Sequence, residues 1–429
     1  MTYGMLALFE DMPELSRMII DRAVDGMKMA MGEYAPDGAY PEGYIYWYYG
    51  TGFNVMFLAA IEKIWKTDYA LLQLPGFLKT GEYIAHMIGA TGNCFNYADS
   101  GQGGGLFSAM FWFANKTNDK SILWDQRKYI ESYKSFTSDR LAPMYLILGS
   151  NIRLADVKPP AELMWVGRGI VPVALMRTSW SDPNAIYVGI KGSNPRGWHC
   201  HMDAGSFVME ADGVRWAMDF GAENYTAMEA SEAKGAKGLN IWDYSQNGQR
   251  WKVFRYNNFA HNTLSVNGQL HRVDGIANMD TYSTTPDFMN AVSDLSAIFK
   301  GELAECVRGI AIVDKQYVVV RDELKTSDKE ATVRWTLLTP AEAKITGKNT
   351  IELKKDGKKL KIEVAEPAKV SMKTWSTTPP NDFENPNTGT KLVGFEVKIP
   401  ANTSATLLVK LIPQSAKSTS NKIPELKKW

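Results

Sequence analysis

The chain is poor in cysteine and histidine, shows no surplus of either charge, and holds no long apolar run. Three cysteines, Cys94, Cys200 and Cys306, are odd in number and far apart, which excludes a disulfide framework or a paired-cysteine zinc site and implies free thiols. Lys and Arg total 48 against 47 Asp and Glu, so no global field draws the protein to nucleic acid or to an anionic membrane. No segment reaches the run of about 18 apolar residues that a membrane-spanning helix needs, and "MTYGMLALFEDMPEL" meets acidic residues too early for a signal peptide. What is abundant is aromatic: 13 Trp and 19 Tyr, enough to supply large cores and to line a carbohydrate cleft.

The pattern of the chain changes once. Up to about residue 150, apolar residues recur at helical spacing, as in "ELSRMIIDRAVDGMKMAMGEYA", "TGFNVMFLAAIEKIWK" and "FLKTGEYIAHMIGA". Beyond "ADVKPPAELMWVGRG" come short alternating or β-branched runs such as "AIYVGIKG", "QYVVVRDEL" and "SATLLVKL". The expected organisation is α+β and multidomain: helices over 1–155, antiparallel strands over 165–413, and a polar, loosely held tail over 414–429. Asp212-Gly213 and Asp356-Gly357 each separate alternating runs and read as tight hairpin turns. "YGMLALFE" opens as a helix without a capping residue before it.

Four of the five histidines, His199, His201, His261 and His271, gather in the strand-rich half, and "RGWHCHMDAGSF" places two of them one residue apart. With a two-residue turn at Asp212-Gly213, Asp219 falls opposite Ser206 and points away from an apolar face of Phe207, Met209, Val214, Trp216 and Met218. A carboxylate in "RWAMDFG" is costly to bury unless it is paired or binds a metal. His201 precedes the first strand of this hairpin and His261 opens "HNTLSVNG", so two imidazoles and a carboxylate from three strand edges would suit zinc. Their spacing has no fixed local geometry, which leaves ordinary hydrogen bonding open as the other reading.

"HCHMDAGSFVMEADGVRWAMDFGAENY" followed by "FAHNTLSVNGQ" resembles the β-sandwich region of the heparinase II/III-like polysaccharide lyases, and "YAPDGAYPEGYIYWYYGTGFNVMFLAAI" looks like the toroid segment of the same superfamily. The resemblance implies an incomplete (α/α) toroid followed by a large antiparallel β-sandwich. It makes His201, Asp219 and His261 ligands of a site-shaping Zn2+, and His199 a catalytic or carboxylate-facing histidine. The catalytic tyrosine is expected from "YIYWYYG", with Tyr46 preferred and Tyr49 second, in a loop-to-helix setting beside Glu42. Glu42, Arg196 and Tyr225 are expected to meet the substrate, His86 to be packing, and His271 has no matching role. The implied partner is an acidic, uronate-containing polysaccharide, cleaved by β-elimination. Family members also carry an Asn or His on a helix upstream of "DGAYPEG"; counting back from Tyr46 places that position before Met1, so a truncated member is expected, whose full-length form is periplasmic or secreted. Two other readings stay open: a glycoside hydrolase using carboxylates among Asp37, Glu42 and Asp99, and a catalytically silent glycan-binding protein.

Overall fold

The computed structural model describes residues 1–131, 137, 139–228, 239–420 and 422–429. Helices come first. After α1 (Thr2–Ala7), Pro13 starts α2 (Pro13–Met31) at a position where its missing N–H costs nothing, and Ser16, Ile20, Val24 and Met31 form the buried stripe. α3 (Gly43–Trp65) begins well before its apolar run, so "YIYWYYG", expected at a loop-to-helix junction, lies wholly within the first two turns of the helix. Its cap residue Glu42 makes no side-chain cap bond. Ser100, from a distant loop, accepts the Ile45 N–H at 3.2 Å instead. α4 (Thr80–Met87), α5 (Ser108–Thr117) and a helix over Ala142–Gly149 complete the longer helices.

Strands begin at Met164. A five-stranded antiparallel sheet runs in chain order through β1 (Met164–Gly167), β2 (Val173–Arg177), β3 (Tyr187–Lys191), β4 (Phe207–Ala211) and β5 (Val214–Ala217). Both its faces are buried. Along β2, Val173 and Leu175 join the core of the helices while Ala174 and Met176 join the core of the remaining strands. The period-two alternation of a strand therefore serves two cores at once. The other strands form an eight-stranded and a four-stranded antiparallel sheet; the first includes β9 (Leu303–Val313) and β10 (Tyr317–Thr326), the second β6 (Leu264–Val266) and β11 (Ala331–Thr339).

Both hairpin turns form as their residues suggest, with positive φ at Asp212 (55°) and Gly213 (76°), and at Asp356 (50°) and Gly357 (73°). The register beyond the first turn differs from expectation. A bulge between Met209 and Glu210 shifts the pairing, so Met209 lies opposite Ala217, and Asp219 leaves the ladder altogether. Nor is the tail loose: Leu426 is buried, Trp429 sets its ring edge on Phe288 at 5.2 Å, and the Ser420 N–H donates to the Tyr317 hydroxyl at 2.9 Å. Its apolar residues Ile423, Leu426 and Trp429 recur every third position and dock against β9 and β10. All three cysteines are free and buried.

Candidate active and metal site

The site forms where the loop between α4 and α5 meets the long connection between β3 and β4. That first loop carries "CFNYADSGQGGG", and its polar side chains act on three neighbours. Asn96 and Gln102 donate to the Asp219 carbonyl at 3.0 and 3.1 Å, Ser100 caps α3, and Asp99 turns toward the histidines. Gly221 is required opposite it: at φ 63° its α-carbon comes so close to the Ser100 carbonyl that an added Cβ would sit 1.8 Å from the oxygen.

Asp99 joins the two histidines of "HCH". His199 Nδ1 lies 3.0 Å from Oδ2 and His201 Nε2 lies 2.9 Å from Oδ1. Arg250, fully buried, donates to the same carboxylate at 3.2 Å, and the Tyr225 hydroxyl bonds to it as well. Burial alone would raise the Asp99 pKa. Hydrogen bonds from His199 and His201 and the charge of Arg250 outweigh it, holding the carboxyl well below the usual range. Asp99 is therefore a buried anion at neutral pH.

His199 itself adopts a left-handed backbone (φ 60°), a conformation that non-glycine residues enter rarely. Its N–H donates to the Tyr244 hydroxyl at 3.0 Å, and its Nδ1 also lies 2.8 Å from the Tyr225 hydroxyl. The Tyr46 ring stacks on the imidazole with centroids 4.2 Å apart, and the Trp242 edge meets it at 5.5 Å. Tyr46 is half-buried, which raises its pKa, while a bond to Tyr225 works against the rise. Burial also raises Glu42, and the nearby His199 moderates that effect.

Below this cluster, ligand atoms of His201, Asp219 and His261 lie within 4.8 Å of one another, all buried. His261 Nδ1 is 2.9 Å from Asp219 Oδ2, and the Gly221 N–H donates to Asp219 Oδ1 at 2.8 Å. His201 Nδ1 and His261 Nε2 are buried and, among the described residues, meet no hydrogen-bond partner. A buried imidazole nitrogen without a partner is costly, and two such nitrogens beside a carboxylate form a donor set that fits zinc better than the oxygen-only surroundings of Ca2+ or Mg2+. Asp99 on the far nitrogen of His201 would be the outer carboxylate that orients a ligating imidazole. A third anchor comes from the sheets: Arg308 on β9, paired with Asp322 on β10, donates to the carbonyls of Gly205 and Asn262 at 3.0 and 3.1 Å, next to the His201 and His261 loops.

Among the expected residues, the structure thus gathers Tyr46, His199, Tyr225 and Glu42 above His201, Asp219 and His261. It does not bring in Tyr49, which is 60 % exposed and edges onto Phe53, or Arg196, an exposed loop residue whose charge acts on Asp274. His86 is packed against Trp180, and His271 Nε2 donates to the Leu264 carbonyl at 3.0 Å. Sequence reasoning does not place Asp99, Arg250, Tyr244 or Trp242 in this cluster; it offers Asp99 only as a hydrolase carboxylate. The signal for Asp99 is the polar, Gly-rich "NYADSGQGGG" between two helices; Trp242, Tyr244 and Arg250 lie in "IWDYSQNGQR", which carries no periodicity. As for facing carboxylates, Asp99 is engaged by two histidines and an arginine, and Asp37 accepts the Arg168 N–H at 2.9 Å.

Helices followed by antiparallel sheets, with a histidine and carboxylate cluster where they meet, define a helix-plus-sandwich protein with a candidate metal and acid–base site. The chain belongs to the heparinase II/III-like family, whose C-terminal region matches residues 176–409. Solved structures agree on the fold. The heparinase III BT4657 gene product superposes with a TM-score of 0.62 at 16 % identity, covering 93 % of this chain and 55 % of its own. Heparan sulfate lyase HepC from Pedobacter heparinus gives 0.62 at 14 % identity, with 94 % and 56 % covered. Another heparinase III structure gives 0.64 at 14 % identity, with 96 % and 58 % covered. The chain thus spans little more than half the length of these structures. No curated protein sequence matches it significantly. Among the described residues, no helix is long and apolar enough to cross a membrane.

Proposed function

We propose that this chain carries the sandwich side and part of the helical ring of a polysaccharide lyase that cleaves a uronate-containing glycan by β-elimination, in a protein that works in the periplasm or outside the cell. The observation that supports it most is the stacked Tyr46–His199 pair, with the imidazole held from behind by Asp99. Elimination breaks the C5–H bond of the uronate and the bond from C4 to the leaving oxygen, and forms a C4–C5 double bond. A base must take the C5 proton, an acid must give one to the leaving oxygen, and the carboxylate must be neutralised as charge spreads into it.

His199 suits the base. With Nδ1 directed at Asp99 and Tyr225, Nε2 is the nitrogen left for substrate, and the neighbouring carboxylate stabilises the imidazolium that proton uptake creates. Tyr46 suits the acid. Burial keeps its phenol protonated at neutral pH, ready to donate to the departing oxygen, and its bond to Tyr225 supports the phenolate that donation leaves. Zn2+ held by His201, Asp219 and His261 would contribute fixed positive charge and rigidity under the histidine loop. Arg250 keeps the Asp99 charge balanced inside the protein.

The test is elimination followed by ultraviolet absorbance on heparin, heparan sulfate, chondroitin, hyaluronan and alginate oligosaccharides, using this chain, an N-terminally extended form, and His199→Ala and Tyr46→Phe variants of whichever is active. Absorbance that both substitutions abolish is the expected result. New reducing ends without absorbance would mean hydrolysis, and binding without any product from either form would mean a glycan-binding protein.

A further inference from the structure

Tyr46 stands at one end of a stripe on α3. Tyr49 and Phe53, three and seven residues on, share its helical face. Apolar rings on a helix face are normally covered, yet Tyr49 is 60 % and Phe53 43 % exposed, and they touch each other edge to face at 5.3 Å. Arg140, from the turn before the Ala142–Gly149 helix, lays its guanidinium over the Phe53 ring at 5.5 Å. Among the described residues no carboxylate pairs with this arginine. Its neighbour Asp139 is occupied by the Tyr145 hydroxyl, by the Leu141 N–H at 2.7 Å and by the Tyr48 hydroxyl at 3.4 Å.

We infer that Tyr49, Phe53 and Arg140 form a second sugar-binding subsite, which holds an acidic residue of the glycan beyond the one at His199. This rests on the lyase reading for its substrate class, and the occupant follows from the chemistry of the stripe. One face of a pyranose is a patch of C–H bonds that stacks on an aromatic ring, and a uronate carboxylate matches the planar fork of a guanidinium. The position fits as well. At a 1.5 Å rise per residue, Phe53 lies about 10 Å along the helix from Tyr46, so a chain leaving the catalytic pair along α3 would meet Tyr49 first and then Phe53 together with the arginine over it. A single arginine on the stripe suits one carboxylate per sugar better than dense sulfation.

Calorimetric binding of unsulfated uronate oligosaccharides, from disaccharide to hexasaccharide, tests this with the full chain and its Phe53→Ala, Arg140→Ala and Arg140→Lys variants. These side chains are exposed, and circular dichroism would verify folding. The hexasaccharide is expected to bind more tightly than the disaccharide. Phe53→Ala and Arg140→Ala should each weaken it about tenfold, Arg140→Lys less, and disaccharide binding should stay within twofold. Unchanged hexasaccharide affinity in the variants, or no gain with length in the parent, overturns the subsite. Parallel absorbance assays separate the two ideas. Arg140-dependent binding without elimination by the chain or its extended form supports the subsite and removes the lyase. Elimination with a KM indifferent to Arg140 at every length does the reverse, and no binding at any length removes both.

Discussion

Replacing Asp99 by Asn tests the centre of the site, because it removes one charge and almost no volume. Four groups meet that carboxylate: His199, His201, Tyr225 and the fully buried Arg250. Without the negative charge the Arg250 guanidinium is left buried and uncompensated, and removing one partner of a buried ion pair costs about 3–5 kcal/mol. Set against a total folding stability of about 5–15 kcal/mol, that is a large downward shift of the urea midpoint. Activity should fall for a separate reason. An asparagine does not stabilise the imidazolium of His199, so the acid–base contribution, about 100- to 10,000-fold in rate, is at risk. The double variant Asp99→Asn/Arg250→Met separates the two effects. Removing both charges from an apolar setting is often nearly neutral, so the double variant should recover most of the midpoint while elimination stays low. A single variant within about 0.5 kcal/mol of the parent, the scatter typical of ordinary surface changes, would refute Asp99 as a buried anion. Full activity in the double variant would refute its role behind His199.

Two further outcomes follow from neighbouring groups. Burial lowers the pKa of His271 to about 4, and among the described residues its Nδ1 meets no hydrogen-bond partner, so the unfolded chain binds a proton at this residue first as pH falls from about 6.5 toward 4. Stability tied to His271 is thus complete above about pH 6.5 and lost on acidification, by about 2 kcal/mol between pH 7 and 5. His271→Gln should flatten the urea midpoint against pH in that window, and an unchanged slope would refute the assignment. Zinc at 100 times its dissociation constant would stabilise the fold by about 2.7 kcal/mol. A chelator should therefore lower the melting temperature of the parent and leave His261→Ala unaffected; indifference of the parent would remove the metal.

Much of the architecture was visible in local chemistry. Asp-Gly turns need positive φ at both positions, which few other pairs tolerate, so both hairpins could be read from two letters each. The trio His201, Asp219 and His261 stood out because histidine is scarce here. What was hidden depends on distance or on backbone irregularity. Asp99 meets partners a hundred and more positions away from a loop with no periodicity. The bulge at Met209 has no sequence mark, and with β5 ending at Ala217 and the Met218 N–H bonding the Leu338 carbonyl it puts Asp219 outside the expected ladder. That Tyr46 and not Tyr49 stacks on His199 depends on where α3 begins, and the residue that caps its first turn is Ser100, not its own N-cap.

The five-stranded sheet has a consequence for motion. Val173 and Leu175 belong to one core and Ala174 and Met176 to the other, so this strand ties the two layers together. Prising the helices from the strands would mean tearing side chains out of a strand whose alternate residues anchor the opposite layer. A protease that cuts the connection between Asp156 and Met164 should therefore leave a nicked molecule whose two pieces still travel together.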